Sequence, residues 1–371
     1  MSRPALNIAL IGSGFMGRAH ALAFAAAERT FDLPRRPEIV LLADRDPETA
    51  AAAATSLGID RATDDWRDAI SDPAIDMVAI AAPNSLHAPI AIAALEAGKA
   101  VYCEKPLATS IAESEAMVAI AGRTGRPTAV GFTYLHNPMI GLARELVAAG
   151  EIGDVTGFRG VHAEDFMAAP DAPFSWRCEA GQAGGALADI GSHIIAMAHY
   201  LVGDIAAVSG RLHTAHPMRR DAQGRDRVVV IDDQMDAVVA FANGAAGTLS
   251  ASWIASGRKM GLAFEITGTC GSILFSQERL NELKLYREGS TLTSGFTTIC
   301  AGPEHGDYAA FCPAPGHQLG YNDLKTIEAR AAVEAAAGLP SAAISFAEAL
   351  AVERVADAIR RSHREGLWAK P

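Results

Sequence analysis

Apolar and polar residues alternate along the first third of the chain in a rhythm that predicts strands separated by helices. Short, almost wholly apolar runs indicate buried strands, and the Ala-rich stretches between them indicate helices, one of them closed by Gly98. This alternation is typical of an α/β fold with a doubly wound parallel sheet that has helices on both faces. The predicted strands are 7–11, 39–43, 76–81, 100–103 and 127–132, and the predicted helices are 15–27, 47–57, 89–97 and 111–121.

The pattern changes after about residue 150, where longer alternating stretches follow one another with few helices between them. Asn243-Gly244 separates two of these stretches and is a strong hairpin signal. We therefore expect a dinucleotide-binding domain over 1–128 and a second α/β domain with a mostly antiparallel sheet over 129–371. The predicted strands of the second domain are 155–164, 234–242, 247–254, 261–267 and 272–275, and 342–364 is predicted to be helical.

Composition excludes several classes of partner. Half of the 371 residues are hydrophobic, which allows a large core, and the formal charge of -11 argues against binding to nucleic acid or to anionic membranes. The 5 cysteines are scattered and form no C-x-x-C pair, so we expect a reducing, cytoplasmic environment and no metal site. No apolar stretch approaches the ~20 residues of a membrane span.

A glycine-rich loop follows the first predicted strand and opens the first predicted helix. It contains Gly12, Gly14, Phe15, Met16 and Gly17 in a G-x-G-x-x-G pattern. In that context the glycines allow a tight turn and close approach of the backbone to a pyrophosphate at the helix N-terminus.

The second predicted strand ends at an acid that is typical of NAD-binding proteins. A carboxylate at Asp44 takes the ribose hydroxyls of NAD and repels the 2′-phosphate of NADP. Arg45 follows directly and softens that preference. The sequence therefore predicts NAD as the cofactor, with NADP the less favoured alternative.

Two further motifs fall at the carboxyl ends of predicted strands, where a doubly wound sheet binds its ligand. They supply the remaining candidate cofactor contacts, which are Ala82, Pro83, Asn84, His87, Glu104 and Lys105. Later in the chain, Asp189 and His193 are four residues apart in GGALADIGSH, so on a helix they share a face. A histidine beside a carboxylate can take up a proton near neutral pH.

These motifs, in this order and at these distances, resemble the glucose–fructose oxidoreductase, inositol dehydrogenase and MocA (Gfo/Idh/MocA) family over essentially the whole chain. The resemblance implies a Rossmann domain followed by an α/β domain with a large open sheet. It also implies NAD(P)-linked oxidation or reduction of a sugar or cyclitol hydroxyl by a homodimer or homotetramer, and a cis bond between Lys105 and Pro106.

The resemblance also assigns roles. Lys105 holds the substrate oxygen and favours the alkoxide, His193 is the general base, and Asp189 binds substrate or orients His193. Asp189 and His193 are thus substrate candidates as well as catalytic ones. The other substrate candidates, by position, are Tyr134, where relatives often have an arginine, and Asp165, Trp176, Arg177 and His317.

Three functions remain open at this point. The preferred hypothesis is an NAD-dependent dehydrogenase of a neutral cyclic polyol or sugar, such as an inositol, an anhydro-sugar or a glycoside. The second is an NAD-retaining glycosidase that works by transient oxidation and elimination. The third is a non-catalytic sugar-sensing regulator, which both Lys105 and His193 argue against.

Overall fold

The chain divides into two compact units. The computed structural model describes residues 3–179, 181–182, 184–289, 292 and 294–371. One unit contains Met1–His136 and Gly320–Leu350, and the other contains Asn137–Leu319 and Ala351–Pro371. The boundary expected after residue 128 stays a prediction, and the first unit also takes in 320–350, which the sequence pattern did not assign to it.

The first unit is built on a parallel sheet of six strands in the order β3-β2-β1-β4-β5-β6. All of its strand pairs are parallel, which confirms the predicted doubly wound fold. The order reverses between β1 and β4, and sheets of this kind bind their ligands at that point. The strands are β1 (Ala5–Ile11), β2 (Arg36–Ala43), β3 (Arg61–Thr63), β4 (Met77–Ile80), β5 (Ala100–Cys103) and β6 (Thr128–Val130).

Ordinary capping sets the bounds of several helices. The Asp46 carboxylate accepts a hydrogen bond from the Thr49 N–H at the start of α2, and Gly58 ends that helix with φ +69. The helices along the chain are α1 (Phe15–Thr30), α2 (Pro47–Leu57), α3 (Arg67–Ser71), α4 (His87–Glu96), α5 (Ile111–Thr124), α6 (Pro138–Ala148), α7 (Ser192–Val202), α8 (Tyr308–Phe311), α9 (Tyr321–Ala336) and α10 (Phe346–Glu365).

Helix α9 belongs to the core of the first unit although it follows the second unit in sequence. Its residues Ala329, Ala332 and Val333 are buried in the same apolar cluster as Phe24 of α1 and Tyr102 of β5. Because α9 covers α1, the first unit is complete only when residues from both parts of the chain are present.

The second unit is built on an eight-stranded sheet in the order β16-β15-β14-β13-β7-β12-β11-β8. All neighbours in this sheet are antiparallel except β7 and β12. Asn243 and Gly244, with φ +91, connect β11 to β12 as the sequence predicts. The strands are β7 (Val155–Ala163), β8 (Ile205–His213), β11 (Gln234–Phe241), β12 (Ala246–Ser252), β13 (Gly261–Gly268), β14 (Gly271–Ser276), β15 (Glu282–Arg287) and β16 (Thr297–Cys300), and a separate ribbon contains β9 (Met218–Arg220) and β10 (Asp226–Val228).

Helix α7 packs closely on the middle of this sheet. A Cβ atom at Gly160 of β7 would lie 2.6 Å from the Ile194 side chain of α7, so the glycine is what allows the close approach. On the same face of the sheet, the rings of Phe158, Phe264 and Phe275 stack in a row with centroids 6.0 and 5.5 Å apart. This rigid packing fixes the first turn of α7, which carries His193.

Candidate active site

The glycine loop of the first unit has the geometry that a dinucleotide needs. Gly12 has φ +100, and a Cβ there would lie 2.4 Å from the Ala81 carbonyl oxygen. A Cβ at Gly17 would lie 1.9 Å from the Gly12 carbonyl oxygen, whereas one at Gly14 would meet no atom of the described residues within 4 Å. The first and third glycines therefore permit tight packing, and the second leaves room beside the N-terminus of α1.

Asp44 lies beside this loop at the end of β2. Its Oδ2 atom accepts hydrogen bonds from the backbone N–H of Ser13 at 2.9 Å and from the Ser13 hydroxyl at 2.6 Å. The carboxylate is thus held in one orientation, and a carboxylate at this position suits ribose hydroxyls better than a phosphate. Arg45, the next residue, is exposed.

His87 connects two of the motifs that the sequence singled out. Its Nδ1 atom is 2.8 Å from the Pro106 carbonyl oxygen and its Nε2 atom is 3.0 Å from that of Ala82. Burial is the main cause that lowers the pKa of His87, so the ring is neutral and donates to only one of the two carbonyls. Asn84 lies in the short helical turn Asn84–Leu86 just before α4.

Lys105 lies half-buried directly after Glu104 at the end of β5, and the Lys105–Pro106 bond is cis, as predicted. Glu104 is only 5% exposed, and its carboxylate lies 2.7 Å from the Lys325 ammonium of α9 and 2.9 Å from His20 Nε2 of α1. Burial alone would raise the pKa of Glu104, but Lys325 and the His20 hydrogen bond lower it below its usual range. Sequence reasoning did not find Lys325.

A group of aromatic side chains lies beside the glycine loop. The Tyr321 ring, at the start of α9, stacks on Phe15 at 6.3 Å and meets Tyr134 edge-on at 6.4 Å. Its hydroxyl lies 3.5 Å from Met16 Sδ. The structure thus brings together Phe15, Met16 and Tyr134, and it adds Tyr321, which the sequence analysis did not propose. Burial raises the pKa of Tyr321 to about 12.

In the second unit, Asp189 lies in a π-helical turn, Leu187–Gly191, that leads directly into α7. The regular helix assumed from the spacing of Asp189 and His193 is therefore wrong over this turn. Asp189 Oδ2 lies 3.3 Å from Arg177 Nε. The Arg177 guanidinium also lies 4.4 Å from the Trp176 ring centroid and 5.6 Å from that of Phe166. Two of the predicted substrate residues, Trp176 and Arg177, are thus assembled with Asp189.

His193 has a second histidine next to it that the sequence analysis missed. The rings of His193 and His162 are 5.5 Å apart. His162 Nδ1 lies 2.9 Å from the Ile190 carbonyl oxygen and Nε2 lies 3.0 Å from Glu164 Oε1. Since the carbonyl oxygen can only accept, Nδ1 of His162 is the donor in the contact with Ile190. The available signal was a histidine two residues before an acid, Glu164, at the end of a predicted strand.

The two remaining substrate candidates have close partners of their own. Asp165 lies 2.7 Å from the Lys259 ammonium and accepts from the Gly257 N–H, and the Lys259 hydrogen bond is the main cause that lowers its pKa. His317 is exposed, its Nδ1 atom is 3.2 Å from the Ala314 carbonyl oxygen, and its own carbonyl accepts from the Tyr308 hydroxyl. Neither set of contacts involves Asp189 or His193.

Two kinds of functional element are absent from the described part of the chain. No group of three or more His, Cys, Asp or Glu side chains among those residues is arranged to hold a metal ion. No helix there combines the length and the apolar character that crossing a membrane requires.

Two family models match this chain. The model of the oxidoreductase family with an NAD-binding Rossmann fold matches residues 6–132, and that of the GFO/IDH/MocA C-terminal domain matches residues 140–274. The chain belongs to the GFO/IDH/MocA family. The resemblance seen in the sequence is confirmed, and so is NAD as the cofactor, whose site fits the glycine loop and Asp44 described above.

Full-length relatives agree with this membership. Levoglucosan dehydrogenase of Pseudarthrobacter phenanthrenivorans is 41% identical over 98% of this chain and 97% of that protein. The scyllo-inositol 2-dehydrogenase (NAD(+)) of Bacillus subtilis is 31% identical over 74% of this chain and 75% of that protein. A solved structure of levoglucosan dehydrogenase in complex with NADH and levoglucosan superposes with a TM-score of 0.95 at 41% identity and covers 99% of both chains. This member of the GFO/IDH/MocA family is therefore an NAD-dependent sugar or polyol dehydrogenase.

Proposed function

We propose that the protein oxidises a secondary hydroxyl group of a cyclic sugar or polyol, and that the anhydro-sugar levoglucosan is the first substrate to test. The observation that carries the proposal is the assembly of Arg177, Asp189 and His193 around the π-helical turn, in a chain similar over its whole length to a levoglucosan dehydrogenase. Inositols and glycosides are the next substrates in order.

His193 acts as the general base in this proposal. A neutral imidazole takes the hydroxyl proton as the substrate is oxidised, and a base positioned in this way contributes about 10²–10⁴-fold to the rate. Asp189 accepts a hydrogen bond from substrate or orients His193. Arg177 keeps the Asp189 carboxylate in place, because its guanidinium is itself held by the Trp176 and Phe166 rings.

Lys105 stabilises the negative charge that develops on the substrate oxygen. A fixed ammonium does this best where water is scarce, and Lys105 is half-buried. The chemistry that NAD supplies when bound is acceptance of the hydride. The glycine loop and Asp44 would hold the dinucleotide, with Phe15, Met16, Arg45, Ala82, Pro83, Asn84, His87 and Glu104 as the remaining proposed contacts.

The substrate contacts are proposed in an order that follows their surroundings. Trp176 is 46% exposed and offers a flat apolar face to the C–H groups of a sugar ring, and Arg177 lies beside it. Tyr134 supplies a hydroxyl next to the glycine loop. Asp165 and His317 come last, because both already have partners within the protein.

The deciding experiment is a screen of levoglucosan, inositols and methyl glycosides with NAD and with NADP, followed by the absorbance of the reduced cofactor. We expect the highest kcat/KM with levoglucosan and NAD. Cleavage of a glycoside without accumulation of NADH would instead favour the redox-elimination reaction. Sugar binding by calorimetry with no turnover of any kind would favour a sensor.

We also propose that the protein assembles as a homodimer or homotetramer through the face of the eight-stranded sheet that is turned away from α7. Val238 of β11 on this face is 48% exposed, and Leu274 of β14 and Tyr286 of β15, farther across the same face, are half-buried. Light scattering should show a mass of two or four chains, and Val238→Lys should lower that mass. A single-chain mass at micromolar concentration would refute this proposal.

A further inference from the structure

A lysine is buried in the core of the first unit, at a distance in sequence from every motif discussed above. Lys325 of α9 is 1% exposed, and its ammonium lies 2.7 Å from the Glu104 carboxylate, 2.8 Å from that of Glu328 and 3.3 Å from the Thr133 hydroxyl. Burial alone would lower the pKa of Lys325, but Glu104 and Glu328 raise it, so the group is charged.

Buried ion pairs of this kind are poor stabilisers. Removing two charges from water costs about as much as their attraction returns, and well-packed apolar residues of similar volume are often as good or better. Lys325 and Glu328 lie on a helix whose other buried residues are mostly apolar, such as Leu324 and Ile327. Apolar side chains in place of the whole ion-paired group would fill the same space without the cost of burying charge, so the charges point to a role beyond stability.

The role of Lys325 follows from the position of the carboxylate that it holds, that of Glu104. Glu104 is the residue before Lys105, and its carboxylate is fixed by Lys325 on one side and by His20 at 2.9 Å on another. The third side is Gly131, where a Cβ would lie 2.7 Å from the carboxylate. His87 anchors Pro106, the residue after Lys105. Both neighbours of Lys105 are therefore held in place, one of them through α9.

We propose that Lys325 is a positioning residue of the reaction, which holds Glu104 so that Lys105 keeps the direction that the alkoxide needs. This inference rests on the proposed function of Lys105. Helix α9 then contributes to the site at a second point, because Tyr321 at the start of the same helix contacts Phe15 and Met16 of the glycine loop. One helix thus touches the glycine loop and the strand end that carries Lys105.

The charges around Glu104 determine how the loss of Lys325 will change the pH dependence of activity. The ionisable groups that face Glu104 come from α1, α4, α9 and β5 itself. They are His20, His87, Tyr102, Lys105, Tyr321, Lys325 and Glu328. His20 is neutral, because burial and Lys325 lower its pKa. Lys325 is thus the cation of α9 that offsets Glu104 and Glu328, and without it Lys105 faces an excess of negative charge.

The test is Lys325→Met, which keeps the length of the side chain and removes its charge. We expect kcat to fall by roughly 10²-fold, the cost of displacing a catalytic group by about 1 Å. The affinity for NADH, measured by fluorescence, should change little. Activity of the wild type should fall at high pH as Lys105 loses its proton. In Lys325→Met this fall should move to higher pH, because the carboxylate beside Lys105 is no longer offset.

Lys99→Met is the matched control. Lys99 is a second buried lysine of the same unit, it lies just before the start of β5 rather than beyond its end, and it donates to the carbonyls of Asp72 and Ile75. Loss of a buried ammonium there should lower stability but leave kcat and the pH profile as they are. Equal losses of kcat in both variants, or a wild-type kcat in Lys325→Met, would overturn the proposal.

Two further measurements keep the proposal testable. If Lys325→Met does not fold, Lys325→Arg replaces it in the test, because this variant keeps the charge but displaces the Glu104 carboxylate. Its kcat should fall without a shift of the pH profile, and a wild-type kcat would refute the positioning role. If the wild type oxidises no sugar, the proposed function fails. The titration of Lys105, followed by NMR after ¹³C-methylation, still tests Lys325: it should move in Lys325→Met and not in Lys99→Met.

Discussion

At the scale of single residues, Lys105 and His193 carry the proposed chemistry. Lys105→Ala and His193→Ala should each lower kcat by roughly 10²–10⁴-fold, the range for a positioned electrostatic or acid–base group. NADH affinity should remain near that of the wild type, since neither side chain holds the pyrophosphate. His199→Ala, two turns along α7, is the control and should keep its kcat. A near-normal kcat for Lys105→Ala would make Lys105 structural.

Asp44 has two tasks that a pair of variants separates. Its carboxylate orients the glycine loop through Ser13 and, in the proposal, repels the 2′-phosphate of NADP. Asp44→Asn keeps an oxygen for Ser13 but removes the charge, so the ratio of kcat/KM for NAD over NADP should fall roughly tenfold. Asp44→Ala removes the acceptor for Ser13 as well, so it should in addition lower kcat/KM with NAD. An unchanged ratio in Asp44→Asn would show that Asp44 does not select the cofactor.

At the scale of elements, the sequence predicted the bounds of helices and strands best where a single local rule determines where an element begins and ends. β5 and α2 have the predicted bounds, because a continuous apolar run marks a buried strand, and Pro47 and Gly58 mark the ends of α2. Helix α9 was missed, since Lys325 and Glu328 in its buried stripe have the pattern of a solvated surface. Charges that are neutralised by residues distant in sequence cannot be recognised from local periodicity.

The same limit applies to the π-helical turn, which depends on an acid far along the chain. Asp232 accepts a hydrogen bond from the Leu187 N–H at 2.7 Å, and its backbone carbonyl accepts from Ala186 at 2.9 Å. Gly185, with φ +79, fits there because a Cβ would lie 2.1 Å from Asp232 Oδ1. Asp189 is therefore placed by a residue that no motif identified.

Asp232 makes the stability of this turn depend on pH. Burial raises its pKa to about 6, above the value of 3.8 for an unperturbed aspartate. Its contribution to stability is therefore complete below about pH 4 and is lost as the pH rises through about 6. Asp232→Asn still accepts from Leu187 and avoids the buried charge, so it should raise the unfolding free energy by about 2–3 kcal/mol at pH 8 and by less at pH 5.

The neighbouring Asp233 is the matched comparison, and urea unfolding at the two pH values is the measurement. Asp233 accepts from the Trp253 indole N–H at 2.8 Å and from the backbone N–H groups of Ala215 and His216. Asp233→Asn loses an acceptor and should destabilise by about 1–3 kcal/mol. Destabilisation of Asp232→Asn at pH 8 would mean that the attraction of Arg360 for the charge outweighs the cost of burial.

At the scale of the whole molecule, the first unit is discontinuous in sequence, and this has a consequence for folding. Residues 1–128 alone, the domain expected from the pattern, lack α9, which buries Ala329, Ala332 and Val333 against α1 and β5. They also lack Lys325, and an unpaired buried Glu104 costs about 3–5 kcal/mol. We therefore expect residues 1–128 to unfold at lower urea than the full chain, or to be insoluble.

A fragment in which a Gly/Ser linker joins residues 3–136 to 320–350 should fold and bind NADH, because it restores both the apolar cluster and the Lys325–Glu104 pair. The same fragment with Lys325→Met and the fragment with Lys99→Met separate the contribution of the ion pair from that of helix α9. Calorimetry of unfolding and NADH titration measure both properties. If residues 1–128 alone bind NADH as tightly as the linked fragment, α9 is an accessory of the Rossmann sheet, and the boundary predicted from the sequence is the physical one.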